Sequence, residues 1–280
     1  MALIVLVSAS GSPGVTTTAL GLTLNWSRPV LLVEADPTGA SAVFAGYFRG
    51  SQEPTGGLIN LALAQRDGNL SQTLPRETLI LDPTAAAESS AWFLPGIRGH
   101  EQAPSLLPLW EPLAEELRAL DHHGQDVIVD AGRLGLTGWP QPLITVSDLT
   151  LLVTRNCLPA LAGARSWAKT LRDQFATVGG LPRLGVLLVD EAGRWPAVPT
   201  VVPRVRPYTA RQVAKALQIP VVASVDWDPE VAEVYSHGAR KPRKFETSGL
   251  LRSYRAGAAS IHSILAANQA ALAPTTGARR

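Results

Sequence analysis

"ALIVLVSASGSPGVTTTAL", residues 2–20, is the most informative part of the chain for predicting its fold. Its apolar opening, Leu3–Val7, lacks the polar alternation of a half-exposed strand and is typical of a strand buried on both faces. The glycines and threonines that follow predict a turn leading into a helix over Thr16–Trp26. Inward-pointing N–H groups in such a turn, together with the positive end of a helix, favour an anion. The stretch therefore predicts an anion site, although it contains no lysine.

Short apolar runs separated by helical patterns recur along the 280 residues. Further strands are predicted at Val30–Val33, Thr78–Leu81, Val127–Val129, Leu149–Val153, Leu184–Val189 and Val221–Val225. Further helices are predicted at Leu106–Leu120, Ala160–Phe175, Thr209–Leu217, Pro229–Ser236 and about Leu250–Ala271. Strands that alternate with helices predict an α/β fold, with a doubly wound, mainly parallel sheet covered by helices on both faces. The length suits a single domain, which we assign to residues 1–271.

Three stretches break this rhythm. Residues 83–104 have no clear periodicity, and we predict an irregular loop or lid there. Residues 191–207 are rich in proline and arginine. The end of the chain, residues 272–280, is small and polar, which predicts a disordered tail.

Composition narrows the classes of protein. Charged residues make up 17% of the chain and the net charge is +2, which does not favour a polyelectrolyte partner. The single cysteine, Cys157, excludes an internal disulfide and carries no zinc signature. No apolar run approaches the roughly 18 residues that a membrane helix needs. We expect a cytoplasmic protein.

The loop resembles the deviant P-loop of the ParA/MinD-like ATPases, which reads roughly S-x-K-G-G-V-G-K-T-T-T. In this resemblance Gly11 and Ser12 match the glycine pair, and Gly14 matches the glycine before the phosphate lysine. Thr16 matches the threonine that binds magnesium, and Thr17 follows it. The resemblance implies that these five residues, with Val15 between them and Asp190 later in the chain, are candidate nucleotide-binding residues in a P-loop fold.

Both lysines of that motif are missing. Val15 stands at the position of the phosphate lysine. Ser10 stands at the position of the signature lysine, which in the family reaches the nucleotide of the partner subunit. No lysine precedes residue 169, because the chain has only Lys169, Lys215, Lys241 and Lys244.

The resemblance continues at the ends of later strands. "PVLLVEADPTGAS" resembles "vLLiDaDpqg.s", so Asp36 matches the aspartate that orients the attacking water, here a vestigial catalytic position, and Glu34 replaces an aspartate. "DVIVDAG" places Asp130 at the Walker B position, so Asp130 and Thr16 form a candidate magnesium site. An acid/base pair of Asp36 with Asp130 is an alternative, as are two inherited carboxylates without a role.

The base-binding part of the motif is also altered. "LQIPVVASVDWDPEVAEVYSHG" resembles the family's late strand and helix. Asp190, in "LGVLLVDEAG", stands where the family reads adenine with an asparagine. A carboxylate cannot supply the N–H donors of an amide, so adenine recognition is in doubt.

Basic residues provide two further hypotheses, phosphate binding and DNA binding. Arg133 and Arg155 follow strands and are candidate phosphate contacts, since the guanidinium group suits phosphate; the alternative is a solvated loop arginine in each case. The resemblance also suggests non-specific DNA binding by a basic cluster, with a solvated surface as the alternative. The cluster comprises Arg240, Lys241, Arg243, Lys244, Arg252 and Arg255. The chain lacks the basic amphipathic end of MinD-like proteins, so we do not expect membrane binding.

Two missing charge-assisted hydrogen bonds would cost about 3–6 kcal/mol, or about two to four decades in nucleotide affinity. We therefore predict a non-hydrolysing ParA/MinD-like protein that needs no cofactor, with weak binding of ATP or ADP with magnesium left open. It would act by contact with a protein partner in positioning, chromosome partitioning, cell division or secretion and pilus assembly, and a homodimer would not depend on nucleotide. One alternative is an atypical ATPase in which arginine replaces lysine. Another is an unrelated doubly wound protein without nucleotide function.

Overall fold

The buried apolar runs form one eight-stranded sheet. The structure is a computed structural model that describes residues 2–10, 12–53, 56–82, 90–191 and 207–272. The strands are β1 (Leu3–Ser8), β2 (Val30–Glu34), β3 (Leu79–Ile80), β4 (Ala91–Leu94), β5 (Asp126–Arg133), β6 (Leu149–Arg155), β7 (Leu184–Asp190) and β8 (Val221–Asp226). Their order is β3-β4-β2-β5-β1-β6-β7-β8, and β3 alone runs antiparallel to its neighbour. The predicted doubly wound, mainly parallel sheet is confirmed.

Helices cover both faces of the sheet. Those in the described residues are α1 (Val15–Leu24), α2 (Gly57–Arg66), α3 (Leu70–Thr73), α4 (Trp110–Ala119), α5 (Gln141–Val146), α6 (Leu158–Thr177), α7 (Ala210–Leu217), α8 (Pro229–Ser236) and α9 (Gly249–Leu272). Helices α1, α8 and α9 share one apolar cluster with the sheet, and α2 to α7 share the other.

Strand β1 shows why its sequence does not alternate. Leu3, Val5 and Val7 pack in the cluster of α2 to α7, whereas Ile4 and Leu6 pack in the cluster of α1, α8 and α9. All five side chains are fully buried. A central strand of a parallel sheet has no solvent face, so every position is apolar.

The prediction of a loop over residues 83–104 is wrong for its second half. Strand β4 pairs in parallel with β2, with Val30 opposite Ala91 and Val33 opposite Leu94. A short 3₁₀ helix, His100–Leu106, follows it. The strand was missed because its four residues include no β-branched side chain and lead directly into Pro95 and Gly96, which signal a turn; pairing with β2 stabilises it. Residues 83–89 lie outside the described residues.

Other differences are smaller. Helices α2 and α5 lie in stretches for which no helix was predicted, and Cys157 is half-buried just before α6. Helix α9 agrees with its prediction within one residue at each end and includes Leu272, whereas residues 192–206 and 273–280 are not described. Among the described helices, none combines the length and the hydropathy that crossing a membrane requires.

Candidate functional site: a pocket at the carboxyl ends of the strands

The fold brings the candidate loop to the edge of a cavity of about 720 Å³. The cavity lies at the carboxyl ends of parallel strands, the usual ligand site of an open α/β sheet. It brings together several residues predicted from the sequence, namely Ser12, Gly14, Val15, Thr16, Thr17, Asp36 and Arg133. Asp130, Asp190 and Arg155 are not among the described residues that line it.

The loop has two left-handed backbone positions, and Pro13 between them has no N–H to offer an anion. Ser12 has φ 43° and Gly14 has φ 92°, so both adopt the left-handed conformation. Glycine accepts this conformation freely, whereas at Ser12 it costs about 1–2 kcal/mol. Gly14 precedes α1, and its carbonyl accepts a hydrogen bond from the Thr18 N–H at 2.8 Å. Gly11 lies outside the described residues.

The side chains at the two lysine positions are held by the protein interior. Val15 is 7% exposed and belongs to the apolar cluster of α1, α8 and α9. Ser10 is half-buried, and its hydroxyl lies so close to Gly163 of α6 that a Cβ atom there would collide with it. Neither position therefore places a positive charge near the loop.

Asp130 is the most unusual carboxyl group of the site. Its side chain is buried, with 2% of the residue exposed. Its Oδ1 accepts a hydrogen bond from the Gly132 N–H at 3.0 Å. Its buried Oδ2 has no hydrogen-bond partner in the described part of the chain. Burial raises the pKa of Asp130 to about 6, with the charge of Asp36 adding to this and the Thr16 hydroxyl opposing it. A magnesium ion, which prefers oxygen ligands, fits this orphaned oxygen and the nearby hydroxyl.

Two further carboxyl groups lie beside Asp130. Glu34, directly opposite Asp130 in the β2–β5 pairing, is 7% exposed and accepts a hydrogen bond from the Gly96 N–H at 3.1 Å. Burial raises the pKa of Glu34 to about 7, and the charges of Asp130 and Asp36 add to the rise. Asp36 Oδ1 accepts hydrogen bonds from the N–H and the hydroxyl of Thr38, both at 2.8 Å. Three carboxyl groups this close together disfavour additional negative charge at the site.

The cavity wall itself is acidic. Among the described lining residues, Arg133 is the only arginine or lysine, and its side chain is exposed. Four lining residues carry carboxylates, namely Asp36, Asp226, Asp228 and Glu233. The charge of the surrounding wall is therefore unfavourable to a phosphate.

Arg155 is not the solvated loop arginine that served as its alternative interpretation. Its guanidinium pairs with Glu191 and lies 4.5 Å from the ring centroid of Trp227, and its side chain is 25% exposed. In this arrangement the guanidinium serves a carboxylate and an aromatic ring. The phosphate contact at Arg155 has no support in its position.

Asp190 is engaged inside the protein. Its Oδ1 accepts a hydrogen bond from Asn156 Nδ2 at 2.6 Å, and Asn156, which is 1% exposed, also accepts one from the Glu191 N–H at 3.0 Å. Trp227 lines the cavity beside this network. Sequence reasoning missed Asn156, Glu191 and Trp227, because no local motif links residues that are this far apart in the chain.

The basic cluster lies outside the cavity, on the segment between α8 and α9 and on α9 itself, and all six side chains are exposed. Part of its charge is locally paired, because Glu246 lies 3.3 Å from Lys241 Nζ and 3.7 Å from an Arg255 guanidinium nitrogen. The neighbouring ring of Phe245 is buried beneath Lys241 and cannot stack on a base. DNA binding by Arg240, Lys241, Arg243, Lys244, Arg252 and Arg255 stays a prediction.

A comparison with protein-family models finds no match, and a comparison with curated proteins finds none either. Solved structures do match. The MinD protein from Pyrococcus horikoshii, complexed with Mg-ADP, is 18% identical with a TM-score of 0.67, covering 96% of this chain and 99% of that one. A ParA family ATPase from Chlorobium tepidum is 16% identical with a TM-score of 0.66, covering 92% and 99%.

A third match is the MinC:MinD cell division protein complex from Aquifex aeolicus. It is 12% identical with a TM-score of 0.63, and the match covers 94% of this chain and 96% of that one. Identities this low establish a shared architecture. The chain therefore has the fold of MinD- and ParA-type ATPases over nearly its whole length.

Proposed function

We propose that this protein is a non-hydrolysing ParA/MinD-like protein that acts by contact with another protein. One observation carries the proposal: the loop before α1 has left-handed backbone at Ser12 and Gly14, whereas Val15 is buried at the position of the phosphate lysine and the cavity wall is acidic. Phosphoryl transfer depends on stabilising negative charge as it develops on the phosphate. A site without lysine and with four nearby carboxylates would oppose that charge.

Weak binding of ATP or ADP with magnesium is part of the proposal. Thr16 and Asp130 would hold the ion, and the N–H groups of the loop would contact the phosphates. The magnesium ion would supply the positive charge that the loop lacks. Asp36 would lie at the water-orienting position, but its carboxylate alone cannot replace the missing lysine charge.

A second candidate is an atypical ATPase in which arginine replaces the lysine. Arg133 supports it, since its exposed side chain lines the cavity. Arg155 does not, because its guanidinium is held by Glu191 and Trp227. In this candidate Arg133→Ala would abolish turnover.

The contact would serve positioning, as in cell division, chromosome partitioning or secretion and pilus assembly. The solved MinC:MinD complex shows that a protein of this fold binds a protein partner. Ser10 faces α6 in place of a lysine that could reach a second subunit. ATP would therefore have no preference for a dimer over a monomer.

Sedimentation velocity with and without millimolar ATP and magnesium tests this proposal. We expect the same sedimentation coefficient in both conditions, whether the protein is a monomer or a dimer. A shift from monomer to dimer on adding ATP, absent with Arg133→Ala, would favour the atypical ATPase instead.

A further inference from the structure

A second large cavity lies between α6 and α7. Its volume is about 1070 Å³, and it shares no described lining residue with the cavity at the strand ends. It is an open groove along two helices rather than an enclosed chamber. The groove is therefore spatially separate from the candidate nucleotide site.

The charge of this groove differs from the charge of the rest of the chain. Helices α6 and α7 carry five cationic side chains and one carboxylate, a net charge of +4 against +2 for the whole chain. The remainder of the chain is thus net negative. The groove lining contains four of the cations and, among the described residues, no carboxylate; the cations are Arg165, Lys169, Arg172 and Lys215.

Internal contacts neutralise little of this charge. Lys169 pairs with Asp173 at 2.8 Å, but both side chains are more than half exposed, so the pair is weak. Arg172 donates to the uncharged amide oxygen of Gln218, and its buried Nε has no partner among the described residues. No carboxylate in the described ranges forms an ion pair with Arg165 or Lys215.

The groove also has an apolar side. Leu158, at the start of α6, is 60% exposed although it is a large aliphatic residue. Leu161 and Leu217 are buried at the groove, with Ala162 and Ala216 beside them. Aliphatic side chains between rows of cations favour a ligand that is acidic on one face and apolar on another.

We propose that the α6–α7 groove binds an acidic amphipathic helix of a partner protein. Charge complementarity selects the acidic residues, and Leu158 with the adjacent alanines receives the apolar ones. A nucleic acid would match the cations but has no aliphatic groups for the exposed leucine. Helix α7 is about 12 Å long, so the partner segment needs only two to three turns along the groove.

The test uses fluorescence anisotropy with the full chain. The probe is a labelled synthetic peptide of about 18 residues, long enough to form a helix, with leucines on one face and glutamates on the other. Lys169→Glu with Lys215→Glu should weaken its binding at least about tenfold. The matched control, Lys241→Glu with Lys244→Glu, makes the same charge change elsewhere and should weaken binding less than about twofold.

A second variant tests the apolar contact and protects against misfolding. Leu158→Asp changes an exposed side chain, so the thermal unfolding should be unchanged while peptide binding weakens at least about fivefold. Equal losses in the two lysine variants, or equal binding of a scrambled peptide, would overturn the proposal. Tighter binding of a labelled DNA duplex than of the peptide, with the loss confined to Lys169 and Lys215, would assign the groove to nucleic acid instead.

Discussion

Two buried aspartates on strand β5 differ in what surrounds them. Asp126 begins the strand at the amino edge of the sheet, and Asp130 lies four residues further, near the carboxyl edge. Both are almost inaccessible to solvent, at 0% and 2% exposed. The first has its oxygens satisfied by the protein, whereas the second has an oxygen without a partner in the described ranges.

Asp126 is surrounded by donors. Its Oδ1 accepts from the Ala2 N–H at 2.8 Å and its Oδ2 from Trp26 Nε1 at 2.9 Å; Arg28 and His262 each lie 3.6 Å away. Burial acts to raise its pKa, but the contacts with these four residues hold the pKa below its ordinary value. This carboxylate stabilises the fold, since it joins the start of the chain, the end of α1 and α9 to the sheet.

The difference separates a structural carboxylate from one that is poised for a ligand. A buried carboxylate with a full set of donors has a low pKa and contributes to stability. A buried carboxyl group with an unpartnered oxygen has a raised pKa, and its ionisation costs stability. Such groups cluster at functional sites, and here the group lies beside the candidate loop.

The largest expected effect comes from removing the structural carboxylate. Asp126→Ala leaves buried donors unpaired and should lower the free energy of unfolding by about 3 kcal/mol at neutral pH. Asp130→Asn removes a costly buried charge and should not lower the free energy of unfolding. Urea denaturation of both variants measures the difference; equal losses would remove the distinction between the two ends of β5.

The second prediction concerns pH. Glu34 has a folded pKa of about 7 against an ordinary 4.5, so the folded state holds a proton that the unfolded state releases between these values. Its contribution to stability is full below about pH 4.5 and is lost as the pH rises through about 7. Glu34→Gln removes this pH dependence. The free energy of unfolding of the variant should therefore rise relative to that of the wild type between about pH 5 and about pH 8.

Denaturant unfolding of Glu34→Gln and wild type across this range checks the sign. The matched control is Glu115→Gln, the same replacement at an exposed carboxyl group on α4, outside the site. A gap between Glu34→Gln and wild type that stays constant with pH would show that Glu34 is ionised throughout, and would contradict this prediction.

Sequence reasoning predicted the central strands and the position of the loop, but it did not predict the contacts between segments that are distant in the chain. Strands β1, β2 and β5 have apolar runs that only a buried parallel sheet explains, and the order of motifs placed Thr16, Asp36 and Asp130 at one edge. Strand β4 was not recognised, because its four residues include no β-branched side chain and a Pro-Gly turn signal follows directly. The acidic wall of the cavity was missed because Asp226, Asp228 and Glu233 come from one late segment that meets the loop only in three dimensions.

The third prediction has the smallest expected effect on stability and concerns the affinity for ATP with magnesium. Val15→Lys returns a positive charge to the lysine position and should tighten ATP–magnesium binding about ten- to a hundredfold, since a charge-assisted hydrogen bond contributes roughly 1.5–3 kcal/mol. Thr17→Lys adds the same charge elsewhere in the cavity and should tighten ATP–magnesium binding less than Val15→Lys does. Isothermal titration calorimetry compares them with the wild type.

Val15 lines the cavity and also packs in the apolar cluster, so replacing it with lysine should cost about 1 kcal/mol of stability through lost apolar packing. Ser10→Lys would need space against Gly163, and we expect a smaller gain from it. No gain from Val15→Lys in a folded protein would favour a doubly wound protein without nucleotide function.

Steady-state ATP hydrolysis by the purified protein tests whether the site turns over nucleotide. We expect wild type and Asp36→Ala both to release phosphate at the background rate of buffer with magnesium, because the cavity lacks the lysine charge and its wall is acidic. Turnover by the wild type that Asp36→Ala abolishes would show instead that the protein is an ATPase. A parallel loss with Arg133→Ala would then identify an ATPase that uses arginine in place of lysine.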